Sequence, residues 1–390
     1  MQFSERISRI SVSATAAVFA KADQLKASGV RLVDFGAGEP DFPTPQNIKQ
    51  AAVNALNQNF TKYTPTGGIR ELRQAIVDRH ARDFGSGYTP EECLVTVGGK
   101  QAVFEAVLAT VNHGDEVILP VPYWVSFLDM IRYAGGTPVL LETREQENFQ
   151  LSADDVARLI TPKTKLIIVN SPNNPTGAVV CPAEWAKLLA LAVRHKVLIL
   201  ADECYCYLAY EPHTPFSVGS SRNLENLLVV GSFSKTYAMT GWRLGFALGP
   251  AGLIANMLKL QSHSTSNATS FVQMAAIEAL TGPQDCIQVM RAEFQRRRDR
   301  MIAGLQAIPG IQCTVPEGAF YAYPNVSACL GRHGLKDTAT LAERLLEEAR
   351  VVVMPGEGFG TRKHLRLSFT TSLDQIDEGM ERLRRFFAQL

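Results

Sequence analysis

Between residues 94 and 248 the chain alternates short, apolar, β-rich runs with stretches of helical period, and this alternation limits the folds open to it. The runs are Leu94–Val97, Glu116–Leu119, Pro138–Leu141, Leu166–Val169, Val197–Leu200, Leu227–Val230 and Leu244–Leu248. Helical patterns over about 100–112, 124–134, 152–160 and 183–195 separate them. Continuous apolar runs joined by helices belong to strands buried on both faces. The expectation is an α/β fold: a mostly parallel seven-stranded sheet with helices on both faces. The last run follows its neighbour too closely for a helical crossover and fits an antiparallel pairing. Ser152, followed by Asp155, is an N-cap candidate for the third helix. Upstream, residues 11–28 read as an amphipathic helix ending at Gly29, and 45–57 and 68–83 as two more. From about residue 283 a long helix, short strands and two further helices suggest a smaller α+β domain. The organisation expected is therefore an N-terminal arm over 1–45 that contributes to the small domain, a large domain over 46–282 and a small domain over 283–390.

Composition excludes several classes of function. The 390 residues carry a formal net charge of +1, which offers no electrostatic case for nucleic acid or an anionic membrane. The polar start Met1-Gln-Phe-Ser-Glu-Arg6 lacks a signal-peptide core, and no apolar run approaches the roughly 20 residues that span a bilayer. Seven scattered cysteines, an odd number, fit reduced thiols in a cytoplasm better than a disulfide framework. Cys204 and Cys206 lie in an apolar stretch and read as core packing. The seven histidines show no metal-ligand spacing. Arg291, Arg296, Arg297, Arg298 and Arg300 come with Glu293 and Asp299 and read as a solvated helix face.

Chemistry-bearing residues follow five of the strands. Gly98-Gly-Lys-Gln101 opens a helix after the first and offers exposed amides to an anion. Pro120-Val-Pro-Tyr-Trp124 brings aromatic faces, Asn170-Ser-Pro-Asn-Asn-Pro-Thr-Gly177 an amide-rich turn, and Ala201-Asp-Glu-Cys-Tyr205 a carboxylate and a phenol. Gly231-Ser-Phe-Ser-Lys-Thr-Tyr-Ala-Met-Thr-Gly-Trp-Arg243 then supplies two serines, a lysine and an arginine. Taken singly each has a plain reading: a solvated lysine, a helix-capping Asp202, a turn-forming Asn174, a core Trp124. In a parallel sheet, however, the strand ends share one edge, where open α/β sheets bind ligands. An aromatic face, a buried carboxylate, an amide, a phenol, a lysine and an anion cradle together suit pyridoxal phosphate. Its aldehyde requires the lysine, its ring nitrogen a carboxylate, and its phosphate Arg, Ser and amides.

Ser232-Phe-Ser-Lys235 with Gly241-Trp-Arg243, Asn173-Asn-Pro-Thr-Gly177, Asp202-Glu-Cys-Tyr205 and Tyr63-Thr-Pro-Thr-Gly-Gly68 together resemble the motif set of class I aminotransferases. The likeness runs from Gly38-Glu-Pro-Asp-Phe42 through Gly318-Ala-Phe-Tyr321 and Pro355-Gly356 to Arg366-Leu-Ser368. It is nearest the bacterial aspartate aminotransferase subgroup, whose Ser-Ala-Thr segment is matched by Ser13-Ala-Thr15. The resemblance implies fold type I of the pyridoxal-phosphate enzymes. It implies Lys235 as the covalent anchor and proton carrier, Asp202 at the pyridine nitrogen, and Tyr205 with Asn174 at the ring oxygen. Trp124 would stack on the ring. Gly99 and Lys100, through their amides, would hold the phosphate with Ser232 and Arg243, and Tyr63 would reach the phosphate of the neighbouring subunit in a homodimer. Arg366 would clamp the substrate α-carboxylate in a pocket lined by Gly38, Trp124 and Asn174.

The implied activity is transfer of an amino group between an amino acid, aspartate foremost, and a 2-oxo acid such as 2-oxoglutarate. One departure stands out. Family members acting on acidic substrates are expected to carry a basic residue just before Ser-Ala-Thr, where this chain has Ser11-Val12. Aromatic, prephenate or broad specificity therefore stays open, as does a pyridoxal-phosphate β-lyase. A non-enzymatic ligand sensor is the alternative of another class. It is disfavoured by near-zero charge and by a chain that starts almost directly with family sequence. A dinucleotide site fails because Gly36-Ala-Gly38 continues as Glu-Pro-Asp.

Overall fold

The computed structural model describes residues 3–11, 14–221 and 225–390. Its centre is a seven-stranded sheet: β1 (Cys93–Thr96), β2 (Glu116–Val121), β3 (Thr137–Glu142), β4 (Thr164–Asn170), β5 (Leu198–Asp202), β6 (Leu227–Ser232) and β7 (Gly245–Leu248). In space the order is β1-β7-β6-β5-β4-β2-β3. Pairing is parallel from β3 through β6, and β7 lies antiparallel to both β6 and β1. The close-following last strand is thus antiparallel, as its spacing implies, and β1 runs in the same direction as β6. All five chemistry-bearing strand ends consequently emerge on one edge.

Alternate residues of each strand face opposite layers. Ile118, Ile167, Ile199 and Val229 pack into a core with Leu188 and Ala192 of helix Pro182–His195 and Leu72 and Ile76 of helix Arg70–Phe84. Val117, Leu166, Leu200 and Val230 face the other way, against Val103 and Ala106 of helix Gly99–Thr110 and Ile131 of helix Ser126–Ala134. Edge strand β3 is only partly covered, as befits a strand with one neighbour.

The C-terminal residues build a second core. Helix Asp285–Gln306 packs against helix Leu373–Phe387, and a three-stranded antiparallel sheet joins Tyr321–Ala322, Leu365–Ser368 and Met354–Pro355. Val33–Asp34 pairs in parallel with Val351–Val352, which ties the N-terminal stretch to this second unit.

Two expectations need correction. The arginines of the long helix are not all solvated. Arg297 and Arg298 are buried; Arg297 donates to Asp41 at 2.8 Å and to Glu293 at 2.9 Å, while Arg298 lies over Tyr210 and donates to the Pro316 carbonyl at 3.2 Å. Ser152 stands at the N-cap of helix Ala153–Leu159 without bonding through its side chain; the Ala153 amide is taken instead by Glu184 at 2.9 Å. The first long helix is described over Ala14–Ala27, and of the Ser11-Val12 and Ser13-Ala-Thr15 segments, residues 12 and 13 lie outside the described residues. Among the described residues no helix is long and apolar enough to cross a membrane, and no cluster of His, Cys, Asp and Glu could hold a metal.

Candidate active site

The sheet has a topological switch point between neighbours β2 and β4. The connection leaving β2 runs outward to β3, whereas that leaving β4 runs the opposite way to β5. Strand ends on either side of such a point splay their loops apart and leave a crevice. Here the crevice is a cleft of about 380 Å³, within the ordinary range of small-molecule sites. Register places Asn170 of β4 beside Asp202 of β5 and Asp202 beside Val230 of β6, so β6 carries Ser232 two residues further along the same edge. Gly38, Gly99, Lys100, Trp124, Asn174, Asp202, Tyr205, Ser232, Lys235, Arg243 and Arg366 all line this cleft, so eleven of the twelve residues singled out in the sequence come together.

Lys235 sits on the short helix Phe233–Thr236 that caps β6, and its Nζ donates to the Gly38 carbonyl at 2.6 Å. Burial pushes its ammonium down to about 8, with Arg366 and Arg243 adding to the effect. Cys204 and Glu39 act in the opposite sense, but burial raises the Cys204 thiol well above its ordinary range, so near neutrality it is uncharged and does not offset the lysine's desolvation. The amine is therefore closer to its nucleophilic form near neutral pH than a solvated lysine would be. Asp202, fully enclosed, is raised by burial; the Cys204 amide donates to its Oδ1 at 3.1 Å and works against that rise. A carboxylate so placed gains from a cationic partner in the cleft.

Anion-binding geometry collects where helix Gly99–Thr110 starts. Gly98 has φ +83°, and a Cβ there would lie 2.5 Å from Arg243 Nη2, so only glycine lets the guanidinium close over the helix start. Across the interface, a Cβ on Gly245 would meet the Gly99 nitrogen at 2.3 Å. Arg243 is itself left-handed (φ +54°) and its Nη1 donates to the Thr240 carbonyl at 2.9 Å. The Ser232 hydroxyl accepts from the Ser234 amide at 3.1 Å.

Arg366 brings a second guanidinium to the cleft. Its Nη2 donates to the Gly36 carbonyl at 2.9 Å and its Nη1 to Asn174 Oδ1 at 3.2 Å, while Nε is buried with no hydrogen-bond partner. Asn174 is oriented in turn: its amide donates to Asn170 Oδ1 at 2.8 Å, and Asn170 Nδ2 donates to the Asp202 carbonyl at 2.9 Å. Lys100 lies with its ammonium 4.9 Å from the Trp124 ring centroid, and burial followed by the charge of Arg243 lowers its pKa. Its side chain, not just its amide, therefore reaches the cleft.

Three groups were missed in the sequence. Asn170 opens the amide-rich turn and was legible there. Cys204, read as core, lines the cleft, whereas Cys206 is buried as expected. Tyr321 lies 3.0 Å from the Tyr205 hydroxyl. Tyr63, by contrast, is not in the cleft: it is 92% exposed, on a shallow surface with Thr265 and Asn267.

Comparison with known proteins places this geometry. A family model described as "Aminotransferase class I and II" matches residues 30–383. The chain belongs to the class I and II aminotransferases. It is 43% identical over 383 residues to an aspartate aminotransferase of Bacillus sp. (strain YM-2), covering 98% of each chain. It is 43% identical to an aspartate/prephenate aminotransferase of Cereibacter sphaeroides, covering 99% of each. A solved aspartate aminotransferase from Thermus thermophilus superposes with a TM-score of 0.94 at 44% identity, covering 99% of each chain. This aminotransferase is accordingly an enzyme that acts on amino acids and uses pyridoxal 5'-phosphate. The cleft fits that cofactor on its own chemistry: a desolvated amine, an enclosed carboxylate and a glycine-floored anion cradle that any Cβ at residue 98 would fill. When bound, the cofactor supplies an electron-withdrawing ring that makes the substrate's α-proton removable.

Proposed function

We propose that the enzyme exchanges an amino group between aspartate and a 2-oxo acid such as 2-oxoglutarate, with Lys235 as its covalent anchor and proton carrier. The observation that carries the reading is the buried Lys235 amine, held against Gly38 and lowered to about 8, in one cleft with Asp202 and Arg366. In this reading Asp202 faces the ring nitrogen, and Tyr205 and Asn174 donate to the ring oxygen. Trp124 covers a ring face. The amides of Gly99 and Lys100, with Ser232 and Arg243, hold the phosphate. Arg366 grips the α-carboxylate through a planar fork, beside Gly38, and Lys235 moves the proton at the substrate α-carbon.

Lys100 supports an acidic substrate. It lines the cleft with Arg366, and both also line an adjoining chamber of about 670 Å³ that Arg132, Asp129 and Glu357 share, so three cations face two carboxylates there. A cation at 100 makes good the basic residue absent at Ser11-Val12. The relatives agree: two are named for aspartate, one of these also for prephenate, and the Thermus structure carries maleate, a dicarboxylate. The exposure of Tyr63 supports a homodimer in which that phenol completes the partner's phosphate site. Residues 46–282 then form the cofactor-binding unit, and 1–45 with 283–390 the unit that carries Arg366. The reduced-thiol pattern favours the cytoplasm.

A panel of amino donors against 2-oxoglutarate tests the substrate. Aspartate should give the highest kcat/KM, and Lys100→Gln should raise its KM on the order of tenfold while sparing neutral amino acids. A wild-type enzyme inert with aspartate but active with aromatic donors would overturn the assignment.

A further inference from the structure

Tyr321 has no role in the scheme above, yet it touches both ends of the cleft. It is buried on the strand Tyr321–Ala322, in the unit that carries Arg366, and reaches across to the end of β5. Its hydroxyl lies 3.0 Å from that of Tyr205, and the two rings meet edge to face. The Arg366 guanidinium sits over its ring, 4.4 Å from the centroid, with Phe359 at 5.0 Å. A Cβ on Gly38 would come 3.4 Å from the same hydroxyl.

We infer that Tyr321 is a positioning residue acting on both halves of the reaction site, its hydroxyl fixing the Tyr205 phenol and its ring fixing the Arg366 guanidinium. The inference rests on the roles proposed above for Tyr205 and Arg366. A phenol has one proton. If Tyr205 donates its own to the cofactor's ring oxygen, the bond between the two tyrosines is made by the Tyr321 proton, with the Tyr205 oxygen accepting. A donor onto that oxygen polarises the phenol and strengthens its outward bond. The ring has a separate task. Arg366 Nε makes no hydrogen bond, so its guanidinium is held by the two Nη bonds and by the rings of Tyr321 and Phe359, of which Tyr321 lies nearer. Tyr205 follows β5 of the large sheet, whereas Tyr321 and Arg366 lie on paired strands of the small sheet, so this one side chain couples cofactor and carboxylate geometry. The titratable or charged groups facing the pair are Cys204 and Arg366, with Asp202 and Lys235 lining the same cleft.

Two substitutions separate the tasks in the holoenzyme. Tyr321→Phe keeps the ring and removes the hydroxyl. Weaker donation to the ring oxygen lets the bound cofactor keep its proton to higher pH, so the midpoint of its visible-absorption change with pH should rise by about half a unit, less than in Tyr205→Phe. Its KM for the amino acid should stay within about twofold of wild type, because the cation–ring contact persists. Tyr321→Leu should show the same midpoint shift and also raise KM on the order of tenfold. An unmoved midpoint in Tyr321→Phe, or an unmoved KM in a folded Tyr321→Leu, overturns the inference; if the leucine variant does not fold, the phenylalanine midpoint decides. Tyr205→Phe and Arg366→Lys run in parallel. If those two change neither spectrum nor KM, the site assignment itself falls and takes this inference with it. If they respond and the Tyr321 variants do not, the role of Tyr321 alone is refuted.

Discussion

Replacing Lys235 with methionine in enzyme stripped of its cofactor should make the protein more stable at neutral pH, although it removes a hydrogen bond. Folding lowers the lysine from 10.5 to about 8. At 1.36 kcal/mol per tenfold change in proton affinity, the charged amine costs the folded state about 3 kcal/mol at pH 7. That is an upper bound, because one side of the side chain faces the water of the cleft. Losing the bond to the Gly38 carbonyl takes back about 1 kcal/mol. The net gain expected at pH 7 is therefore up to about 2 kcal/mol. The sign reverses with pH. Between about 8 and 10.5 the unfolded chain holds a proton that the folded one has released, so wild-type stability rises across that window relative to the variant. By pH 10 the variant should be level or slightly less stable. Urea unfolding at fixed protein concentration, at pH 7 and pH 10, reads both values. A variant less stable than wild type at pH 7, or a difference that does not change with pH, would refute the burial argument for the amine's reactivity.

Two further outcomes test other parts of the site. Arg366→Lys should lower kcat/KM by about two orders of magnitude, because an ammonium cannot reproduce the guanidinium's paired bonds to a carboxylate; unchanged kinetics would move the clamp elsewhere. Mixing a Tyr63→Ala subunit with a Lys235→Ala subunit should restore activity that neither parent shows, since the intact Lys235 site then borrows the intact Tyr63. A mixture no better than its parents would remove Tyr63 from the partner's site.

The sheet was legible because its strands are buried on both faces and so carry unbroken apolar runs, and the cleft because its residues follow those runs directly. Local patterns stop where the answer depends on distant partners. Arg297 looks like one more solvated charge until Asp41, 256 residues away, is brought beside it. Cys204 and Cys206 share one apolar stretch, and only the turn after β5 sends the first into the cleft. Gly98-Gly-Lys-Gln101 points only to the Lys100 amide, because nothing in it tells that the side chain folds over Trp124. Tyr321 sits inside a motif whose residues gave no hint of role, since its significance lies in contacts to 205 and 366. Tyr63 faces outward from the chain, because its motif lies on a surface away from the strand ends that build the cleft.

The central claim is a covalent bond between Lys235 and pyridoxal phosphate. Borohydride reduction of the native enzyme, followed by proteolysis and mass spectrometry, tests it directly. The peptide spanning Ser232–Arg243 should carry the reduced cofactor on Lys235. A label on another lysine, Lys100 included, or none at all on enzyme that retains full activity, would contradict the account.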